Sequence, residues 1–136
     1  INQSARVFTG WVRFGDSDDE RLAAFFSILP VMGHEGWRRG HRTVVLPDFQ
    51  GMGIGNRVIE TVAEQLWRQE RLRFRAVTSA PGIVEHRRRR PHMWRLAMKP
   101  GQKRPTGVKG KIKAVSAGRL TTSWVYIPED LRRADA

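Results

Sequence analysis

The chain has 136 residues, of which 40% are hydrophobic and none is cysteine. This length and composition fit one folded domain over residues 1–136 and exclude wholesale disorder. Without cysteine there are no disulfides or thiolate metal sites, and the four histidines lack paired metal-ligand spacing, so we expect no metal. Lysine and arginine outnumber aspartate and glutamate 25 to 13, and the net charge of +12 attracts polyanions. No membrane-length apolar run and no signal-peptide pattern occur, so we expect a cytoplasmic protein without membrane contact.

The N-terminal third predicts three strands. Residues 7–14 are rich in aromatic and β-branched side chains, as is typical of a strand. Residues 22–29 form a continuous apolar run, which indicates a central strand buried on both faces. The short acidic break at 16–20 predicts that these two strands form an antiparallel hairpin. A second turn at 33–36 leads into a third strand over 37–46.

A glycine-rich loop follows the third strand. Gly51, Gly53 and Gly55 alternate after Pro47, so the backbone can adopt positive φ angles and aim consecutive N–H groups at one anion. The helix that follows adds its unpaired N–H groups and the positive end of its dipole. A dinucleotide fingerprint would need glycine where Asn56 stands, and the Gly-Lys-Ser/Thr of a nucleotide-triphosphate loop occurs nowhere. The pattern therefore predicts a phosphate-binding loop of another kind.

A predicted helix and then a predicted strand follow the loop. Apolar residues recur at helical spacing from Ile54 to Trp67, while Glu60 and Glu64 take the other face, which indicates an amphipathic helix packed on the sheet. Residues 72–78 alternate as a fourth strand. It should run parallel to the third strand because a helix crosses between the two.

The C-terminal part predicts a second helix and a closing hairpin. The helix covers residues 82 to about 96 and is interrupted or ended near Pro91. We interpret its run Arg87–Arg90 as a solvated face; the alternative is that it binds nucleic-acid phosphate together with the lysines and arginines of 99–113. Residues 111–115 and 119–127 read as hairpin strands, and 129–136 as a frayed tail.

The signature Gln50-x-x-Gly53-x-Gly55, placed directly after a strand, resembles the pyrophosphate-binding motif of the GCN5-related N-acetyltransferase (GNAT) superfamily. The resemblance is good over residues 44–67 and looser up to Trp94. It implies an α/β (α+β) fold with a mixed, mostly antiparallel sheet, a parallel central strand pair and helices on both faces. The family normally begins with a strand and two helices, and here only residues 1–6 precede the first strand, so we expect that part to be missing.

The resemblance also implies acetyl-CoA as co-substrate and a set of residues that hold it. Val44 and Val45 would pair through their backbone with the pantetheine amides, in the gap between the third and fourth strands. Gln50 would hold the loop or meet a phosphate oxygen, and Ser79 begins the family pattern Asn-x-x-Ala-x-x-x-Tyr. Backbone N–H groups of the loop would bind the pyrophosphate: Gly51, Met52, Gly53, Ile54, Gly55 and Asn56.

The catalytic groups are less clearly marked. Family members often place a base on the strand before the signature; here that strand offers His41, with Glu35 and His34 near its start. The tyrosine that serves as acid in the family is replaced by His86, whereas the only tyrosine, Tyr126, lies in the last strand. Three alternatives stay open: His86 as the acid, protonation by water, or a fold that binds coenzyme A without efficient catalysis.

The sequence thus predicts an enzyme that transfers an acetyl or other acyl group from coenzyme A to a primary amine on a small molecule or a protein. The alternative is a basic nucleic-acid-binding module, or an acyltransferase whose acceptor is carried on RNA or a ribosomal protein. A second copy of the chain, forming a homodimer, is also among the expected partners. The acceptor and the acyl chain length are not indicated by the residues.

Overall fold

The computed structural model describes residues 5–98 and 121–132. Within them the chain forms a six-stranded sheet with helices inserted between its later strands. The elements are β1 (Arg6–Arg13), β2 (Glu20–Pro30), β3 (Trp37–Val45), a 3₁₀ turn (Pro47–Phe49), α1 (Ile54–Glu70), β4 (Arg73–Thr78), α2 (Pro81–Arg88), β5 (Trp94–Met98), β6 (Thr122–Tyr126) and α3 (Glu129–Arg132).

The sheet has the strand order β1-β2-β3-β4-β6-β5. Every neighbouring pair is antiparallel except β3 and β4, which run parallel because α1 crosses between them. The predicted hairpin of the first two strands and the parallel third and fourth strands are both confirmed. The mixed, mostly antiparallel sheet with one parallel central pair is therefore the fold that the sequence predicts.

The core lies between α1 and one face of the sheet. Ile59, Val62, Ala63 and Leu66 of α1 pack on buried aromatic and aliphatic residues of β2, β4, β5 and β6. Their 3–4-residue spacing is what places them on one helix face. Phe26, Phe74, Trp94 and Tyr126 form a chain of edge-to-face contacts across the sheet, with ring centroids 5.3–6.4 Å apart.

The two longer helices, α1 and α2, meet on the same face of the sheet. Glu60 of α1 lies 2.7 Å from the ring of His86 in α2, and Val84 of α2 packs against the core under α1. Neither α1 nor α2 therefore covers the opposite face of the sheet.

The second helix ends near Pro91, which is one of the two predicted alternatives, whereas its continuation to about residue 96 is wrong. α2 ends at Arg88, and Trp94–Met98 is a strand that pairs antiparallel with β6. Pro91 has no N–H to continue a helix, and a turn through Arg90 instead brings Trp94 opposite Tyr126.

The C-terminal predictions are partly confirmed. β6 lies within the predicted strand 119–127, whereas 111–115 lies outside the described residues. Residues 129–132 are not a frayed end but the short helix α3, where Glu129 forms an ion pair with Arg68 of α1 at 2.8 Å. Within the described residues no helix could cross a membrane, and no group of side chains could hold a metal ion.

Candidate active site

β3 and β4 pair over a short stretch and then separate. Their hydrogen-bonded register covers Trp37–Arg39 against Arg73–Arg75. Beyond Arg39, β3 continues to Val45 paired with β2 alone, and β4 continues to Thr78 paired with β6 alone. In the described part of the chain, one backbone edge of Thr43–Val45 therefore faces an open gap. Such an edge can accept a ligand that carries amide groups, as an added strand would.

A β-bulge lies where the two strands separate. Ile28 of β2 pairs with Gly40 and Ser27 pairs with Arg42, so His41 has no residue opposite it. A bulge re-aims the side chains around it and often occurs beside active sites. His41 is exposed, and its ring is therefore accessible at this point of the gap.

The turn after β3 is held by a few specific contacts. The N–H of Leu46 donates to the carbonyl of Ala23 at 2.8 Å, and Phe49 is buried. The Gln50 side chain reaches back and donates from Nε2 to the carbonyl of Val45 at 3.0 Å. Of the two roles considered for Gln50, the structure thus shows the loop-holding one.

The glycines of the loop adopt the conformation that an anion-binding loop requires. Gly51 has φ 81° and Gly53, the N-cap of α1, has φ 76°; both values lie in the left-handed region that favours glycine. No side chain caps α1, so the N–H groups of its first turn face the loop. A Cβ on Gly55 would lie 3.2 Å from Cγ2 of Val45, so this glycine lets α1 approach β3 closely.

The gap, the loop and the start of α1 enclose one cleft of about 300 Å³. Seven of the predicted cofactor-binding residues line it. Three do not: Val44 and Met52 have exposed side chains, and Ser79 is exposed at the end of β4. A backbone contact to Val44 remains compatible with this arrangement. The lining residues are Thr43, Val45, Phe49, Gln50, Gly51, Gly53, Ile54, Gly55, Asn56, Ile59 and Ile83.

Four lining residues are absent from the predicted set: Thr43, Phe49, Ile59 and Ile83. Thr43 points to the α1 side, because its Cγ2 would lie 3.9 Å from a Cβ on Gly55. Phe49 and Ile59 belong to the packing that supports the loop, and Ile83 contributes the α2 wall. The adjacent apolar residues Ile83 and Val84 on α2 were the signal that could have identified this wall.

The predicted catalytic residues are not gathered in one place. Glu35 is exposed in the turn before β3, six residues or about 20 Å of extended strand from His41. His86 is engaged elsewhere, because its Nε2 lies 2.7 Å from Oε1 of Glu60, which also accepts a bond from Nε1 of Trp94. This geometry favours a structural role for His86.

Tyr126 is no substitute for the missing family tyrosine. Its hydroxyl donates to Oε2 of Glu64 at 2.9 Å, on the side of α1 that carries Glu60. Burial, followed by the neighbouring Glu64 carboxylate, raises the pKa of the Tyr126 phenol well above its usual range. A phenol that holds its proton so firmly is a poor general acid.

The interpretation of Arg87–Arg90 as a solvated face fails at Arg87. This residue is 2% exposed and stacks over the Trp94 ring, with its guanidinium carbon 4.3 Å from the centroid. Burial lowers the pKa of Arg87 to about 10, so the side chain is still a cation at neutral pH. Arg87 is therefore unavailable to nucleic-acid phosphate, while Arg88 and Arg89 are exposed and share Glu85.

Comparisons with known proteins agree with this geometry. The family model described as "Acetyltransferase (GNAT) family" matches residues 3–101. No curated protein sequence matches the chain. Solved structures with the same fold include a spermidine/spermine N-acetyltransferase from Vibrio cholerae, with a TM-score of 0.59 and 11% identity over 93% of this chain.

Two further structures are similar. An acetyltransferase from Bacillus subtilis, solved in complex with CoA, has a TM-score of 0.59 and 12% identity over 93% of this chain. The ribosomal-protein-S18-alanine N-acetyltransferase from Escherichia coli has a TM-score of 0.58 and 16% identity over 94% of this chain. The chain spans 66%, 78% and 72% of these three proteins, in the order given. Since the family model covers most of the sequence and the fold agrees, the chain belongs to the acetyltransferase (GNAT) family.

Proposed function

We propose that this protein is an acyl-CoA-dependent N-acetyltransferase that transfers an acetyl group from coenzyme A to a primary amine. The observation that carries the proposal is the continuity of two features. The gap between β3 and β4 opens directly onto a loop with two positive-φ glycines at the N-terminus of α1. One elongated ligand with an anionic end and an amide-containing arm fits both features.

The loop and the strand edge would share the binding of this ligand. The N–H groups of residues 51–56 and the positive end of α1 suit a pyrophosphate. The free backbone edge of Thr43–Val45 suits the amides of the pantetheine arm, which would extend along β3 toward the bulge at His41. Ile59 and Ile83 supply apolar walls for the methylene and methyl groups of the arm.

Acetyl transfer forms a C–N bond and breaks the thioester C–S bond, and it moves one proton from the amine to the departing thiolate. The amine must be neutral to attack, and His41 is the exposed side chain at the bulge that could accept its proton. His86 could donate to the thiolate only by giving up its bond to Glu60. We therefore assign the proton donor to solvent water and keep His86 as a positioning residue of the α1–α2 contact.

A thiol-release assay tests the activity without interference, because the chain contains no cysteine. The protein is mixed with acetyl-CoA and a panel of amines, and the acetylated product is identified by mass spectrometry. We expect amine-dependent release of coenzyme A and a mass gain of one acetyl group on the amine. Binding of coenzyme A without turnover of any amine would contradict the enzymatic proposal and favour a catalytically weak coenzyme A-binding protein. The expected homodimer stays a prediction.

A further inference from the structure

The sheet face opposite α1 carries a cluster of arginines. Side chains alternate along a strand, and Phe74, Ala76 and Trp94 point into the core under α1. Their neighbours Arg75 and Arg95 therefore point to the opposite face. On β3, two more arginines join them through the strand register. We call this set the arginine face: Arg39, Arg42, Arg75 and Arg95.

The register brings several of these charges close together. Arg39 pairs with Arg75 across the parallel strands, and Arg75 and Arg95 both pair with Val125 of β6. Adjacent strands are about 4.8 Å apart, so these three arginines follow one line across the sheet. Like charges placed directly opposite each other destabilise a sheet.

No carboxylate neutralises the cluster in the described part of the chain. The ion pairs of residues 5–98 and 121–132 involve none of the arginine-face residues. The sequence of residues 99–120 contains lysine and arginine but no aspartate or glutamate.

The position of the cluster connects it to the proposed reaction. Arg39 and Arg75 form the last paired level before β3 and β4 separate. The glycine loop lies on the α1 side of the sheet, because Gly55 contacts Thr43 and Val45 there. The gap between the strands thus has the loop at one face and the arginine face at the other. An acceptor that approaches the gap from the side away from the loop meets these cations first.

We propose that the arginine face selects the acceptor, and that this acceptor is a primary amine whose molecule also carries a carboxylate or a phosphate. This inference rests on the proposed acetyl transfer. Guanidinium groups bind both anions by paired N–H donors, and the anion would relieve the repulsion within the cluster. The strand spacing places such an anion within about 10 Å of the gap. Polyamines, which carry only positive charge, should be poor acceptors.

Matched amines of one chain length test the charge preference. The probes are 5-aminovalerate, the neutral alcohol 5-amino-1-pentanol and the cationic 1,5-diaminopentane, each assayed with acetyl-CoA at low salt. We expect kcat/KM for 5-aminovalerate to exceed that for the diamine by on the order of a hundredfold, with the alcohol between them. 3-Aminopropyl phosphate, compared with 5-aminovalerate, distinguishes phosphate from carboxylate as the preferred anion.

Two variants link the preference to the cluster. Arg39→Gln and Arg75→Gln should each lower kcat/KM for 5-aminovalerate about tenfold, mainly through KM, and leave that for the diamine unchanged or higher. Arg88→Gln is the control, because it removes the same charge from an exposed residue paired with Glu85. Circular dichroism should show all three variants folded, since Arg39→Gln and Arg75→Gln relieve repulsion between like charges and Arg88 is exposed.

The outcomes separate this inference from the proposed function. Equal or better turnover of the diamine, or an unchanged preference in both variants, would overturn the inference and leave acetyl transfer standing. If no probe is acetylated, the inference is tested by calorimetry, which measures whether 5-aminovalerate binds to the coenzyme A-loaded protein. Binding that is lost in Arg75→Gln supports the arginine face, and no binding overturns it. Failure to bind coenzyme A at all would refute the proposed function, and the inference with it.

Discussion

Asn56→Asp should separate cofactor binding from folding, because the added charge is expected to stabilise the fold and to weaken the binding of coenzyme A. Asn56 lies in the first turn of α1, three residues after the N-cap Gly53, and lines the cleft. The substitution keeps the size of the side chain and adds one negative charge. Near the positive end of the helix dipole this charge should stabilise α1 by about 0.3–1 kcal/mol. For a domain of this length the Tm should rise by about 1–4 °C.

The same charge should repel the pyrophosphate of coenzyme A. Two unit charges about 6 Å apart interact by about 0.7 kcal/mol in water and by about twice that at a dielectric constant of about 40. With about two charges on the pyrophosphate, the loss is about 1.4–2.8 kcal/mol, or about 10- to 100-fold in Kd. The assay is calorimetric titration of coenzyme A into both proteins at physiological salt, together with their thermal unfolding.

A matched control places the same charge at the other end of the helix. Gln69→Glu adds one negative charge about 20 Å from Asn56, beyond the screening length at physiological salt. It should leave coenzyme A affinity unchanged. Unaltered affinity in a folded Asn56→Asp, or equal losses in both variants, would refute the placement of the pyrophosphate at the start of α1.

Three further predictions concern the groups on either side of α1 and α2. Tyr126 is the only tyrosine, and burial raises the pKa of its phenol; its ionisation, read as absorbance near 295 nm, should occur well above pH 10 in the folded protein and near pH 10 in urea. Because the unfolded state loses this proton first, the contribution of the Tyr126 phenol to stability is present below pH 10 and is lost as the pH rises further. A normal phenol titration in the native state would contradict this prediction. Arg87→Met should keep the free energy of unfolding within about 1 kcal/mol in urea titrations, because it removes the charge and retains the packing over Trp94. Arg87→Ala removes both the charge and the packing and should lower the free energy of unfolding by about 2–3 kcal/mol. Equal losses in the two variants would show that the charge itself stabilises the fold. His86→Gln should lower the Tm and leave the pH dependence of kcat unchanged, since His86 is bound to Glu60; a lost limb in the pH profile would restore His86 as the general acid.

Much of the fold could be predicted because local pattern and tertiary contacts agree. The β-branched strand, Pro47, the glycines and the apolar spacing of α1 each predict the element that forms there. Gly51 and Gly53 were recognisable because only glycine adopts their positive φ angles without strain. Here sequence order also sets spatial order, since a strand, a helix and a parallel strand are consecutive in the chain.

The errors arise where distant contacts decide the outcome. β5 is too short to be identified by propensity and exists because Trp94 pairs with Tyr126, far away in the sequence. Arg87 belongs to a run of charges typical of a solvated surface, yet the Trp94 ring provides a buried place for its guanidinium. The partner of His86 could not be foreseen because the helical spacing puts Glu60 on the polar face of α1 and does not show that this residue points toward α2 and β5. The arginine face likewise appears only once the strand register is known.

The central claim is that one ligand occupies both the glycine loop and the gap between β3 and β4. Amide hydrogen exchange tests it most directly, with coenzyme A and with pantetheine, which lacks the phosphates. We expect coenzyme A to protect the N–H groups of residues 43–45 and 51–56, and pantetheine at high concentration to protect 43–45 alone. Coenzyme A that leaves both segments unchanged, or that protects only the arginine face, would contradict the account.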